Sequence, residues 1–461
     1  MTFVSQWRDA RKAVKEGRPG IERRQRERLA EAVAHARDNS RFFKELYADL
    51  PDQVTDTARL PITDKRQLMA RFDDWVADPR VTLEAARAFA DDPDLIGAKF
   101  LDTYLLTTTS GTTGSVGIFL NDPHTLQVAG ALVARGILGT LVTPGSVLKL
   151  LARGGRSAKI AGTGGHFAMA AAEMAQRRAN KRREKSVRLL SVQSPVPQLT
   201  AELNDFQPAL IECYASTALL LAREQEAGRL RLNPVMLSLG GEGLTEPEYA
   251  RISQAFGGVE INNLYGCNEA VALSFTCKEN WLHIHEDWVI FEPVDADYQP
   301  TPAGELSHTV LLSTLYRREQ PILRYDLGDS ILRRPDPCPC GSPLMAVRVQ
   351  GRASSVLTFP NQRGQESTIV PLALATAVER TAGVELFQVV QTAPDALRVR
   401  LRTADGADPR RVRESVRTDL ANVLVDHDLG NVTIDCGDEP PVQAAGGKYP
   451  QVVPYAGNAA S

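Results

Sequence analysis

Val187-Arg188-Leu189-Leu190-Ser191, Leu210-Ile211-Glu212-Cys213-Tyr214 and Val235-Met236-Leu237-Ser238-Leu239 are three short apolar runs, each separated from the next by residues with helical spacing. A helix is expected from His166 onward, before the first run, and another through Leu230, before the third. Strands of this length that alternate with helices pair in parallel. The stretch therefore predicts an α/β fold, and the short apolar segment 146–151 is expected to add a strand to the same sheet.

The texture changes on either side. Upstream, 20–47 repeats apolar residues such as Leu29, Val33 and Ala36 at helical spacing within a charged segment, which predicts an amphipathic surface helix. Downstream, 288–349 breaks into short strand-like pieces interrupted by Pro and Gly, as in a small β-subdomain. After Gly351 the pattern predicts a compact α+β lobe: a helix over 368–382, strands over 384–392 and 396–403, a charged helix over 408–429 opening at Asp408-Pro409, and a strand over 431–436. Two domains are expected, 1–350 and 351–461.

With 461 residues, 43% of them hydrophobic, the chain is long enough for a sizeable core. Its 53 basic and 56 acidic side chains leave a formal charge of -3, so no global field draws in nucleic acid or an anionic membrane, and neither is an expected partner. No basic start leads into a long apolar run, and nowhere do about 18 apolar residues follow without a break. Six cysteines are too few for a disulfide framework at this length, which suits reduced thiols or a metal site and a cytoplasmic address.

The chemistry begins at Thr107-Thr108-Thr109-Ser110-Gly111-Thr112-Thr113-Gly114, directly after the strand-like Tyr104-Leu105-Leu106. Glycines permit close backbone approach, and hydroxyls with free N–H groups can cradle phosphate oxygens. A Walker A loop is excluded because no Gly-Lys-Ser/Thr follows at the required spacing. Further along stand Gly240-Gly241-Glu242, Tyr265-Gly266-Cys267-Asn268-Glu269, Tyr325-Asp326-Leu327-Gly328-Asp329, Gly351-Arg352 and Gly446-Gly447-Lys448.

In that order these six motifs resemble those of the adenylate-forming superfamily, on its phenylacetate-CoA ligase-like branch, over a span from about residue 25 to Lys448. The resemblance implies a large N-terminal α/β region with a β-subdomain, a small mobile C-terminal lobe, and an active site between them. It implies ATP-dependent activation of a carboxylic acid, aromatic by analogy, to an acyl-adenylate with release of pyrophosphate, then transfer to CoA. Thr109, Ser110, Gly111, Thr112, Thr113 and Gly114 are then the phosphate loop. Gly241 and Glu242 form a turn against adenine, while Asn263, Tyr265, Gly266 and Asn268 complete the nucleotide pocket. Asp329 and Arg352 hold the ribose, Glu269 holds Mg²⁺, and Lys448 brings its charge to the reacting carboxylate and α-phosphate. Phe167 and Tyr214 are implied as acyl-pocket aromatics, and a homodimer is the expected assembly.

Each role suits its residue type. Two anions must meet during adenylation, so cations and hydrogen-bond donors are needed where charge builds up. Mg²⁺ takes one or two carboxylates beside phosphate and water, and a carboxylate is the strong acceptor for ribose hydroxyls.

Cys277, His283, His285, Cys338 and Cys340 form a second constellation. By spacing alone they read as buried free cysteines or as a tetrahedral zinc site of three thiolates and one imidazole. The resemblance implies structural zinc, with His283 as the fourth ligand and His285 as the alternative. The basic run from Arg177 to Lys185 reads as a solvated helix end, or else as a seat for the phosphates of CoA or of a carrier-protein arm.

Two departures from the family pattern stand out. The lysine that many relatives carry just after the phosphate loop is absent, Gly117 lying near its place. The hinge motif reads Gly351-Arg352-Ala353-Ser354-Ser355, where two aspartates are usual. That change keeps two alternatives open: a standalone biosynthetic adenylating enzyme that serves a carrier protein, an amine or another nucleophile, and a non-catalytic homologue that binds nucleotide or zinc.

Overall fold

The computed structural model describes residues 2–109, 116–140, 144–241, 244, 246–350, 357–369, 371–404, 406–442 and 451–455. At its centre is a five-stranded parallel sheet made of β1 (Ser157–Ala161), β2 (Val187–Ser191), β3 (Leu210–Tyr214), β4 (Met236–Gly240) and β5 (Glu260–Leu264), in the order β2-β1-β3-β4-β5. The helices Ala168–Ala179, Val196–Phe206, Ala215–Glu226 and Glu246–Ala255 supply the crossovers.

Two sequence expectations need correction. The segment 146–151 is not a strand: it lies in the helix Pro144–Ala152, with Leu148 and Leu151 exposed. A short apolar run carries no usable period, and a proline at the first helical position favours the helix. The strand missing from the sequence reading is β1, which is buried along its whole length. Its Lys159 disguised it. Lys159 is 9% exposed, and its ammonium stands 3.0 Å from Glu212 and 3.7 Å from Glu173, a paired buried charge within the sheet.

The N-terminal helix is longer than expected, Phe3–Asn39, with a break at Gly17 (φ 71°) just before Pro19. The helix predicted over 20–47 ends early because Ser40 leaves the helical conformation. Its N–H still bonds Ala36 O, while its hydroxyl accepts from Phe43 N and starts a second helix, Arg41–Leu46. Leu29, Val33 and Ala36 face inward into a core shared with the β-subdomain, where Trp75, Phe119, Tyr316 and Tyr325 are also buried.

Three antiparallel sheets frame the rest of this half. One holds Lys99–Phe100, Tyr104–Thr108 and Ile118–Asn121. A second holds Ser274–Thr276, Leu282–Ile284, Ala346–Gln350 and Ser330–Arg333, and a third Val289–Val294, Thr309–Thr314 and Tyr325–Asp326. After residue 357 come a hairpin (Leu357–Pro360 with Glu366–Ile369), the helix Pro371–Glu379, a long hairpin (Val384–Ala393 with Ala396–Thr403) and the helix Pro409–Asp426, capped by the Asp408 carboxylate. The helix expected over 368–382 is shorter because 366–369 pairs as a strand. Apolar side chains of these later elements share one core with the parallel sheet and its helices.

Candidate active site and metal centre

In the order β2-β1-β3-β4-β5 the chain reverses direction across the sheet between β1 and β3, which opens a crevice at their carboxyl ends. Five of the sequence-derived residues, Phe167, Tyr214, Gly241, Asn263 and Tyr265, lie along this edge. β1 runs into Gly162, Thr163, Gly164, Gly165, His166 and Phe167, β3 ends at Tyr214, β4 passes to Gly241, and β5 carries Asn263 and leads to Tyr265. The Phe167 ring lies over the glycine turn, since a Cβ on Gly162 or Gly165 would come within 3.1 Å of it. Gly241 has φ +76° and sits 3.1 Å, measured from the position of a Cβ, from the Tyr214 ring. A side chain there would be strained and would crowd the crevice.

On the β-subdomain side, hydroxyls and carboxylates converge. Tyr265 donates to Asp329 Oδ2 at 2.7 Å, and Tyr325 donates to Glu269 Oε1 at 2.9 Å. Burial, then the Glu269 carboxylate, pushes the Tyr325 hydroxyl well above its usual pKa, so it remains a donor. The Cys267 thiol is pushed up as well, by burial and then by Glu269 and Asp329, and stays neutral between the two acids. Asn268 Nδ2 donates to Thr108 O at 3.2 Å, which ties the tyrosine-glycine motif to the strand leading into the phosphate loop.

Two residues that the sequence reading missed hold this arrangement. Arg317, 3% exposed, donates to Asn268 O (3.1 Å), Asn121 Oδ1 (3.2 Å) and Leu120 O (3.0 Å), joining three segments through one guanidinium. Lys65 donates from Nζ to Thr109 Oγ1 at 3.0 Å, and the same oxygen accepts from Gly117 N at 2.8 Å. No local pattern distinguishes either cation from the many others in the chain.

Ser110, Gly111, Thr112, Thr113, Gly114, Glu242, Arg352 and Lys448 lie outside the described residues. Three of the six cations in the basic run are anchored within the fold, while Lys181, Arg182 and Lys185 are exposed. Arg177 and Arg183 both bond the fully buried Glu173, and Arg178 donates to Ile96 O at 3.2 Å.

The four candidate metal donors meet in the second antiparallel sheet. Cys277 follows one strand, His283 lies on the next, and Cys338 and Cys340 come from the loop before a third, with all four ligand atoms within 4.8 Å of one another. Cys277 Sγ and Cys338 Sγ are 3.7 Å apart, close to the edge of about 3.8 Å that a tetrahedron with zinc–sulfur bonds of about 2.3 Å requires. His283 Nδ1 is 2.8 Å from Leu344 O, which sets that nitrogen as the donor and turns Nε2 toward Cys340 Sγ at 3.2 Å. His285 faces elsewhere, against Arg135 and the Phe275 ring. Burial pushes the Cys277 thiol up and Cys340 to about 12. Closely packed thiols of this kind suit a bound cation that stabilises the thiolates.

Among the described residues no helix is long and apolar enough to cross a membrane. No family model matches the chain. The phenylacetate-coenzyme A ligase of Thermus thermophilus is 27% identical over 335 residues, a match that covers 69% of this chain and 66% of that one, just under two thirds of the relative's length. Among solved structures, 2-hydroxyisobutyryl-CoA ligase with 2-HIB-AMP and CoA in the thioesterification state is 18% identical with a TM-score of 0.56, over 95% of this chain and 89% of that one. The same ligase in the postadenylation state gives 17% and 0.53, over 95% and 90%. The structural matches show the fold: the chain is folded like 2-hydroxyisobutyryl-CoA ligase, and in sequence it is similar to a phenylacetate-coenzyme A ligase.

Proposed function

We propose that the protein activates a carboxylic acid with ATP, releasing pyrophosphate and forming an acyl-adenylate, and then passes the acyl group to CoA as a thioester. The observation that carries this reading is the paired set Tyr265–Asp329 and Tyr325–Glu269, held beside Thr108 and Asn268 at the carboxyl edge of the sheet. Asp329, oriented by Tyr265, accepts the ribose hydroxyls together with Arg352. Gly241 leaves room for a flat base, and Phe167 and Tyr214 at the switch point receive an aromatic acid. Glu269 and the phosphate oxygens would hold Mg²⁺, which neutralises charge on the phosphates. Lys448, on the C-terminal segment of a lobe that begins near Gly351, supplies a cation to the carboxylate and α-phosphate.

Cys277, His283, Cys338 and Cys340 would hold zinc. With four protein ligands it has no open position, so it braces the β-subdomain and takes no part in the reaction. The protein acts in the cytoplasm, and the hinge sequence Ala353-Ser354-Ser355 favours a carrier protein or amine as the second candidate acceptor. The test is pyrophosphate release over a panel of aromatic, aliphatic and amino acids, each with and without CoA. Acid-dependent release with acyl-CoA formed supports the reading, while release without a CoA product moves it to the second acceptor class. No release from folded, metal-loaded protein with any acid refutes it.

A further inference from the structure

The proposed metal centre has one histidine ligand, and a chain of contacts leads from that imidazole out to the N-terminal helix. His283 Nδ1 is fixed on Leu344 O at 2.8 Å. Leu344 and Met345 join the loop bearing Cys338 and Cys340 to the strand Ala346–Gln350, so one short stretch carries the imidazole's partner and tethers two of the thiols. Met345 O accepts from Ile284 N at 3.0 Å, and Met345 N donates to Glu286 Oε2 at 2.5 Å. Glu286 is 2% exposed, so protein donors stand in for water at its carboxylate, a strong acceptor for a backbone N–H.

That carboxylate is held in turn from the helix. Arg18 donates from Nη1 to both oxygens of Glu286, at 2.8 Å each, and from Nε to Glu22 Oε1 at 3.1 Å. It stands directly after the break at Gly17, where two helical stretches meet. On either side of the break, Ala13 and Ile21 are fully buried in one cluster with Phe275 and Leu344. Phe275 also stacks on the His283 ring, with centroids 5.5 Å apart and planes 26° from parallel. The helix thus reaches the surroundings of the imidazole twice: through the apolar cluster beside its ring, and through the ion pair behind its hydrogen-bond acceptor. A separate tether keeps the helix docked, since Arg135 donates to Ala10 O at 2.9 Å and to Asp287 Oδ1 at 2.8 Å.

We propose that Arg18 and Glu286 are a positioning pair for the metal centre: their ion pair fixes Met345, and through it Leu344 O, so that His283 Nε2 stays turned to the metal beside Cys340. The first helix of the chain is thereby the outer wall of a centre whose four donors come from Cys277 onward. This rests on the metal reading above. A ligand imidazole is oriented by what its other nitrogen binds, and removing such outer partners costs about 10- to 100-fold in metal affinity.

The experiment is competition for zinc between the purified protein and a chromophoric chelator, for wild type, Arg18→Met, Glu286→Gln and, as a control, Ile211→Val, which loosens the separate core of the parallel sheet. Thermal denaturation ranks the stability of each, and the visible spectrum of the cobalt(II)-loaded proteins reports the ligand geometry. Arg18→Met and Glu286→Gln are expected to weaken zinc about 10- to 100-fold and to shift the cobalt bands, while Ile211→Val lowers the melting temperature and leaves both metal readouts as in wild type. Zinc affinity within about twofold of wild type in both variants overturns the proposal. So does an equal weakening in Ile211→Val, or a weakening with an unchanged cobalt spectrum, since either makes the pair a general support of the fold. Wild-type protein that takes up neither zinc nor cobalt refutes the metal reading itself, and the proposal with it.

Discussion

Arg317 offers the sharpest test of how the site is held. Replacing it with Met keeps most of the volume but removes donors to three acceptors, Asn121 Oδ1, Asn268 O and Leu120 O, all within 3.2 Å. A buried acceptor left without a partner costs about 1–3 kcal/mol. The guanidinium is itself costly to bury, and desolvation lowers its pKa despite the facing Tyr316 and Glu269, so its removal returns part of the loss. Taking the low end for each of the three acceptors, about 3 kcal/mol together, and allowing for that return, the expected net destabilisation is about 2 kcal/mol. Equilibrium urea unfolding reads this as a lower midpoint. Because Arg317 also holds the carbonyl of Asn268, the KM for ATP is expected to rise about tenfold, the equivalent of about 1.4 kcal/mol, with a smaller change in KM for the acid. A variant within about 0.5 kcal/mol of wild type and with an unchanged KM for ATP would refute the reasoning, since that is the range of ordinary surface substitutions.

Three other outcomes are expected. Lys448→Ala should reduce adenylate formation at least about 100-fold and leave ATP binding intact, the magnitude seen when a donor aimed at developing charge is removed; wild-type rates of pyrophosphate release would take Lys448 out of the mechanism. Protein purified without added metal should contain close to one zinc per chain, and Cys338→Ser should lower both the zinc content and the melting temperature, whereas a stoichiometry near zero would exclude the metal site. Burial lowers the pKa of His35, His124, His166 and His427. These groups are neutral in the folded protein at pH values where the unfolded chain takes up protons, so their contribution to stability is present above about pH 6.5 and lost as the pH falls from there toward their folded values. Each adds up to about 1.4 kcal/mol per pH unit within its window. His427→Gln, which keeps a donor for Gln193 O, should flatten the fall measured by urea unfolding between about pH 6.5 and 5.5, and an unchanged slope would count against this account.

The legibility of the sequence followed the physics of each element. β2, β3 and β4 were readable because each is a short apolar run bounded by helices, and Asp408-Pro409 announced the start of its helix because a capping carboxylate followed by proline is a local signal. β1 was hidden by Lys159, whose cost of burial is met by Glu173 and Glu212 from elsewhere in the chain. The segment 146–151 was misread because four or five apolar residues fit a strand and a helix equally well. At the candidate metal centre, the sequence reading placed His283 as the fourth ligand and kept His285 as the alternative. The fold separates them by turning His283 toward Cys340 and placing His285 against Arg135.

By itself, then, the sequence determined the α/β class, the order of the nucleotide motifs and the identity of the thiols, because each of these is written in a contiguous stretch or in the chemistry of a residue type. The tertiary structure decided which distant groups meet. It paired Tyr265 with Asp329 and Tyr325 with Glu269, threaded Arg317 among three segments, and carried Lys65 to Thr109. These contacts depend on strand order and on backbone pairing between segments some 40 to 260 residues apart, so no local period or motif encodes them: they exist only once the sheets have assembled and buried their apolar faces against one another.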